Sequence, residues 1–84
     1  MYRTIKEENI VETRVNSAKT KYSRFEDAFD ALKWILARKP ENGIKIDNKF
    51  LYKQNGQIDS SVPEITVLYT YNENEVNILE IKFD

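Results

Sequence analysis

Basic side chains beside a tyrosine are typical of contacts with nucleic acid, because amino groups attract phosphates and an aromatic ring stacks on bases. This chain has such a set in Arg38, Lys45, Lys49, Tyr52 and Lys53. The three lysines are four residues apart, so one unbroken strand would place them on one face. Tyr52 joins them only if the strand is broken or twisted, and a solvated strand face is the alternative interpretation.

Trp34 and Arg38 form a second candidate site, for binding a partner protein. Trp34 lies about 180° from Phe25 on a helix that turns by about 100° per residue, so it is opposite the apolar stripe described below. Tryptophan and arginine are enriched at the hot spots of protein interfaces. The alternative is that a neighbouring element covers this side and leaves Trp34 half-buried.

The chain contains no histidine and no cysteine. It therefore has neither the commonest general base and metal ligand nor a thiolate or a disulfide. Its two glycines, Gly43 and Gly56, cannot form a glycine-rich phosphate loop, and none of the common nucleotide, zinc or hydrolase motifs is present. We expect no catalytic residue, no metal site and no cofactor.

Charge is distributed unevenly along the chain, although the net charge is −1. Residues 1–55 carry twelve Lys or Arg against eight Asp or Glu, whereas residues 56–84 carry one against six. A basic face for a polyanion or an acidic partner is one interpretation. The other is an ordinary solvated surface in which packing interleaves the two parts.

Residues 23–38 are predicted to form the central helix, because start signal, period and stop signal agree. Ser23 and Glu26 have the spacing of a capping box, and Pro40 prevents continuation. Apolar side chains recur with helical spacing at Phe25, Ala28, Phe29, Leu32, Ile35 and Leu36. This stripe predicts an amphipathic helix that packs on a sheet.

A first helix is predicted over residues 9–21, because apolar residues recur there at intervals of four, three and four. They are Val11, Val15, Ala18 and Tyr22. Asn9 is the expected N-cap, and Ile10 lies to one side of the stripe. Residues 1–6 precede this helix as a short edge strand.

The rest of the chain alternates as strands do. Strand character extends over 44–54 with an interruption near Asp47, and Ile44, Ile46, Phe50 and Tyr52 would face the core in an unbroken strand. Asn55 and Gly56 are a strong hairpin signal, followed by a weak partner strand over 57–62. Two further strands, 64–71 and 76–83, form a hairpin. In the last one, Asn77, Leu79, Ile81 and Phe83 are expected on one face.

These elements predict a single α+β domain over residues 1–84, with two antiparallel helices packed on one face of a small, mainly antiparallel sheet in the order β-α-α-β-β-β. No apolar run approaches the roughly 20 residues that span a bilayer, and the N-terminus lacks the apolar segment of a signal peptide. We expect a cytoplasmic protein without a membrane partner.

The chain resembles the RelE/ParE superfamily of small toxins from bacterial toxin–antitoxin pairs. The resemblance rests on the element order, on ALKWILARKPENGIKI (31–46) and on ITVLYTYNENEVNILEIKF (65–83). It implies the same fold and an antitoxin partner. The family's ribonucleases have basic residues on the sheet and polar groups near the C-terminus. Here Pro63 and Glu64 stand where an arginine would be typical, and no His, Tyr or Arg follows residue 83, so the nuclease residues are not carried over.

Three functions follow as hypotheses. The first is a toxin-like binding protein that acts by protein–protein contact without nuclease catalysis. The second is an mRNA endoribonuclease, free or ribosome-dependent, that uses Lys45, Lys49 and Lys53 electrostatically. The third is a non-toxic adaptor that docks a larger protein through Trp34. Each is compatible with a homo-oligomer, because a domain of 84 residues buries a modest fraction of its surface.

Overall fold

A computed structural model describes residues 2–56 and 63–83. The elements are β1 (Thr4–Glu7), α1 (Asn9–Lys21), α2 (Phe25–Arg38), a 3₁₀ turn (Pro40–Asn42), β2 (Ile44–Ile46), β3 (Lys49–Gln54), β4 (Ile65–Tyr71) and β5 (Glu75–Phe83). The predicted α+β class and element order are confirmed, and the strand character expected over 44–54 is divided between β2 and β3. In the part of the chain that is described, no helix is long and apolar enough to cross a bilayer.

The five strands form one sheet in the order β1-β5-β4-β3-β2. β1 is parallel to β5, with Ile5 opposite Val76, and the other pairs are antiparallel. The helix pair carries the chain from β1 at one edge to β2 at the other. The first and last strands therefore meet side by side, although they lie at the two ends of the sequence.

Both helices pack on one face of the sheet and form the core with it. The helix side chains of the core cluster come from the two predicted stripes, and those of the sheet come from β4 and β5. They are Val11, Val15, Ala18, Phe25, Phe29, Leu32, Leu36, Ile65, Val67, Tyr69, Val76, Ile78 and Ile81. The helical periodicity thus identified the core side of both helices correctly.

The predicted helix caps are wrong. α1 has Glu8 as its N-cap and α2 has Arg24, and neither side chain makes a capping hydrogen bond. The chain enters α2 through a tight turn in which the Phe25 N–H donates to the Tyr22 carbonyl (3.2 Å). This turn starts the helix at Phe25, so Ser23 lies one residue too early to cap it.

A two-residue turn between β2 and β3 reverses the chain where an interruption was expected. Ile46 lies opposite Lys49, and Asp47 has a φ of 56°, a conformation that Asp tolerates better than most residues. The hairpin turn expected at Asn55 and Gly56 is wrong, because neither residue lies in a turn and Gln54 pairs with Ile65. The weak strand predicted over 57–62 lies outside the described residues.

A bulge in β5 changes which side chains of this strand face the helices. Leu68 lies opposite Glu80 and Tyr69 lies opposite Ile78, so Leu79 is an extra residue. On the N-terminal side of the bulge, Ile78 faces the helices. A bulge shifts the alternation by one residue, so beyond it Ile81 faces them as well. The uninterrupted alternation predicted for 76–83 is therefore wrong.

Candidate functional site

The sheet face that lies away from the two helices, here called the open face, carries a row of aliphatic side chains. Ile44 lies opposite Leu51, and Leu51 lies opposite Leu68 on the next strand. These three residues are the apolar row. Leu51 and Leu68 are half-buried, and Ile44 is 69% exposed at the sheet edge. An uncovered row of this kind is a candidate surface for a partner, because exposed apolar patches mark interaction sites.

The N-terminal half of α1 closes one side of the open face. Ile10, which is 53% exposed, and Arg14 line a cavity of about 370 Å³ together with Leu51, Leu68 and residues of β5. Ile10 thus extends the aliphatic surface from the sheet onto the helix. The cavity has an apolar floor and charged sides. An apolar group of a ligand can bind on the floor, and the charged side chains around it can orient the ligand through its polar groups.

Charged side chains surround the apolar row. Lys53 and Lys82 flank Thr66 in the next row across the strands, and Glu80 lies at the end of the apolar row. Lys53 forms an ion pair with Glu64 (3.5 Å). Within the described residues, Arg14 and Lys82 form no ion pair, and their charges are therefore open to a carboxylate from another molecule.

Packing interleaves the basic and acidic parts of the sequence. β3, from the basic part, lies beside β4, and the pair is joined by the Lys53–Glu64 contact. At the other edge, Lys6 of β1 forms an ion pair with Glu75 of β5 (2.9 Å). Among the described residues, the two parts of the sequence therefore place side chains of opposite charge next to each other.

The lysines predicted as a site are divided between the two faces of the sheet. Lys45 lies opposite Phe50, on the helix side, whereas Lys49 and Lys53 belong to the open face. The reason is the turn at Asp47, which removes the single continuous strand on which a shared face depends. Ile44 and Ile46, expected towards the core, point to the open face for the same reason.

Tyr52 does not lie with the lysines of the open face. It is opposite Val67, on the helix side of the sheet, and is half-buried against the core. Phe50 and Tyr69 stack on this same side with ring centroids 5.8 Å apart. Because the aromatic rings of β3 and β4 face the helices, the open face has an aliphatic floor and not an aromatic one.

Trp34 and Arg38 lie on the surface of α2 that points away from the sheet, and so are not part of the open face. The Arg38 guanidinium stacks over the Trp34 ring (4.1 Å) and stands 5.9 Å from the Tyr2 ring. Trp34 is 54% exposed. Among the described residues, no neighbouring element covers this side of α2. Only Tyr2 lies beside it, near Arg38.

Sequence reasoning missed Ile10, Arg14, Leu51, Leu68 and Lys82 as candidate site residues. A signal existed for the three aliphatic residues, because each is out of phase with a stripe. Ile10 lies beside the stripe of α1, Leu51 is in phase with lysines, and Leu68 stands between threonines. An apolar residue on the polar side of an amphipathic element is a candidate for contact outside the core.

Tyr69 fixes the connection that leads from α2 to the open face. Its buried hydroxyl donates to the Pro40 carbonyl (2.5 Å), and burial raises the pKa of Tyr69 to about 12, against a smaller opposite effect of a hydrogen bond with the Gly43 backbone. A Cβ at Gly43 would clash with the Tyr69 hydroxyl oxygen. The absence of a side chain at Gly43 therefore lets the tyrosine reach the 3₁₀ turn.

Residues 2–56 and 63–83 contain no group of three or more carboxylates placed to hold a metal ion. No protein-family model, curated protein or solved structure matches this chain.

Proposed function

We propose that the protein is a toxin-like binding protein of a toxin–antitoxin pair, which acts by protein–protein contact through its open face. The observation that carries the proposal is the apolar row, extended by Ile10 and flanked by Arg14 and Lys82, two cations that form no ion pair with a described residue. The RelE/ParE resemblance supports the toxin-like assignment through the order of the elements.

The chemistry of the open face favours a protein segment as its ligand. Leu51, Leu68 and Ile10 offer aliphatic contacts, which suit the apolar face of a helix or strand. Arg14 and Lys82 suit carboxylates beside that apolar face. The partner is therefore an amphipathic, acidic segment, and in a toxin–antitoxin pair the antitoxin supplies it.

Leu68→Asp tests this assignment. Expression of the wild-type protein alone should arrest growth, and the product of the adjacent open reading frame should co-purify with it. The new carboxylate lies in the middle of the apolar row, so Leu68→Asp should lose both effects while the chain still folds. Thr70→Asp is the matched control, because it adds the same group to the same face of β4, outside the row.

Two results would count against the proposal. One is normal growth at confirmed protein levels, with no binding of the adjacent gene product to the wild type. The other is equal loss of binding in Leu68→Asp and Thr70→Asp, which would mean that any added charge on this face disturbs the protein. Circular dichroism of both variants distinguishes loss of binding from loss of folding.

An mRNA endoribonuclease is the second candidate, favoured by the cations of the open face. Lys49, Lys53 and Lys82 lie on this face and could contact an RNA backbone. The aromatic residues of β3 and β4 face the helices and are not placed to stack on bases. Substituting the three lysines with alanine should abolish cleavage of mRNA if this function holds, and unchanged cleavage would exclude their role.

A further inference from the structure

The side of α2 that points away from the sheet carries a regular stripe of four exposed residues. They are Asp27, Ala31, Trp34 and Arg38. Their spacing of four, three and four is that of the contact positions of a coiled coil, so all four lie along one line of the helix surface. The order along this line is acidic, small, large and basic.

This order makes the stripe complementary to itself. Asp27 and Arg38 are equally far from the middle of the stripe, and so are Ala31 and Trp34. Two copies of α2 packed antiparallel about a two-fold axis would therefore place each Trp34 against Ala31 of the other copy. The same axis would bring each Arg38 to the opposite Asp27. An isologous interface requires this kind of match between a surface and itself.

The charges at the ends of the stripe form no ion pair among residues 2–56 and 63–83. Glu26 and Asp30, which also lie on α2, form ion pairs with Lys19 (3.7 Å) and Lys33 (3.5 Å). Asp27 and Arg38 form none with any of the described residues. The guanidinium of Arg38 instead stacks on Trp34, which holds it along the stripe.

We propose that this stripe binds a second copy of the chain, so that α2 pairs with α2 in an antiparallel two-fold dimer. Trp34 packs on Ala31 and Arg38 pairs with Asp27 across the axis, twice in each dimer. The stripe lies on the side of the molecule opposite the open face. The dimer therefore leaves both open faces accessible, and its test is independent of the proposed function.

The size of the stripe sets the strength of the dimer. α2 has 14 residues and is about 21 Å long, so one helix pair buries less than the roughly 1,200 Å² of a standard interface. We expect a reversible dimer with a dissociation constant in the micromolar range or weaker. Monomer and dimer should therefore exchange over the concentrations used in sedimentation experiments.

Trp34 reports on its own burial, because the chain has one tryptophan. Sedimentation of the wild-type protein over a concentration series should show the mass rise from monomer to dimer. The emission of Trp34 should shift to shorter wavelength over the same range, as the indole leaves water. A monomer at millimolar concentration, or a dimer that forms with no change in Trp34 emission, would overturn the proposal.

Two charge reversals locate the contact. Asp27→Arg places two cations at each end of the interface and Arg38→Asp places two anions, so each variant alone should raise the dissociation constant about tenfold or more. An equimolar mixture of the two restores opposite charges at both ends and should recover association. Glu73→Arg is the control, since it makes the same change at an exposed position in the turn between β4 and β5.

The mixture distinguishes a lost contact from a lost fold, because two misfolded variants would not associate on mixing. Recovery in the mixture, together with wild-type behaviour of Glu73→Arg, supports the antiparallel pairing of α2. The antiparallel pairing of α2 is overturned if the dimer survives either charge reversal alone. It is also overturned if the two variants stay monomeric when they are mixed.

Discussion

The two faces of the sheet are built from the same strands but have different surroundings. On β4, the helix face carries Val67 and Tyr69, which are fully buried, and the open face carries Leu68 between two half-exposed threonines. Leu68 is as apolar as Val67. The difference arises because both helices pack on one face, whereas on the other only side chains from the start of α1 reach the edge of the apolar row. An apolar side chain therefore holds the fold together on one face and is available to a partner on the other.

The largest expected effect in this comparison is on the helix face. Leu32→Ala removes a fully buried side chain in the middle of α2, and the cavity it leaves cannot be filled by water without cost. We expect the free energy of unfolding to fall by about 2–5 kcal/mol, as measured by urea denaturation. A loss below about 1 kcal/mol would contradict the tight packing of this face.

Tyr69 tests how the helix face accommodates a polar group. Tyr69→Phe removes the hydroxyl donor to the Pro40 carbonyl, which keeps only the longer hydrogen bond from the Gly43 N–H (3.5 Å). We expect a loss of about 1 kcal/mol in the free energy of unfolding. Thr70→Val, on the neighbouring residue of the open face, should change the stability by less, because solvent reaches that position. Equal losses in the two variants would remove this distinction between the faces.

The same tyrosine gives the wild-type protein a distinctive pH dependence. Burial raises the pKa of Tyr69 to about 12 in the folded protein, whereas the unfolded chain loses this proton near pH 10. The stabilisation of the folded state by protonated Tyr69 is therefore fully present below pH 10, and it falls as the pH rises from about 10 to about 12. The free energy of unfolding of Tyr69→Phe should not show this fall between pH 10 and pH 12. Identical slopes against pH in the wild type and the variant would contradict the raised pKa.

The smallest expected effect is on the open face. Leu68→Ala makes the same chemical change as Leu32→Ala but at a half-buried position of the open face. We expect the free energy of unfolding to fall by about 1 kcal/mol or less. If its loss approached that of Leu32→Ala in urea denaturation, the open face would be part of the core and the docking proposal would lose its basis.

The helices were predictable because their signal is local and repeated. The stripe from Phe25 to Leu36 indicated both the existence of α2 and its core side, and Pro40 indicated its end. The first residue of α1 was predicted as well, but that of α2 was not, because the turn from Tyr22 to Phe25 competes with the expected cap at Ser23. A capping box is a weak signal beside the constraint of joining two helices that must pack on the same sheet.

The site was less predictable than the fold. The turn at Asp47 moved Lys45 to the opposite face from Lys49, and neither residue's own preference indicates this. Asn55 and Gly56 gave a stronger turn signal, yet the described two-residue hairpin turn lies at Asp47. Strand pairing is decided over the whole sheet, so the preference of one dipeptide does not by itself place the turn.

The sequence by itself determined the period of each element, and with it the apolar stripes of both helices and the alternation of β4. Period is set by the geometry of a single stretch of chain, so it can be read from neighbouring residues. The tertiary structure decided which face the helices cover, that β1 lies beside β5, and that a bulge at Leu79 turns Ile81 inward. These outcomes depend on residues far apart in the chain, and so does the open face that they leave exposed.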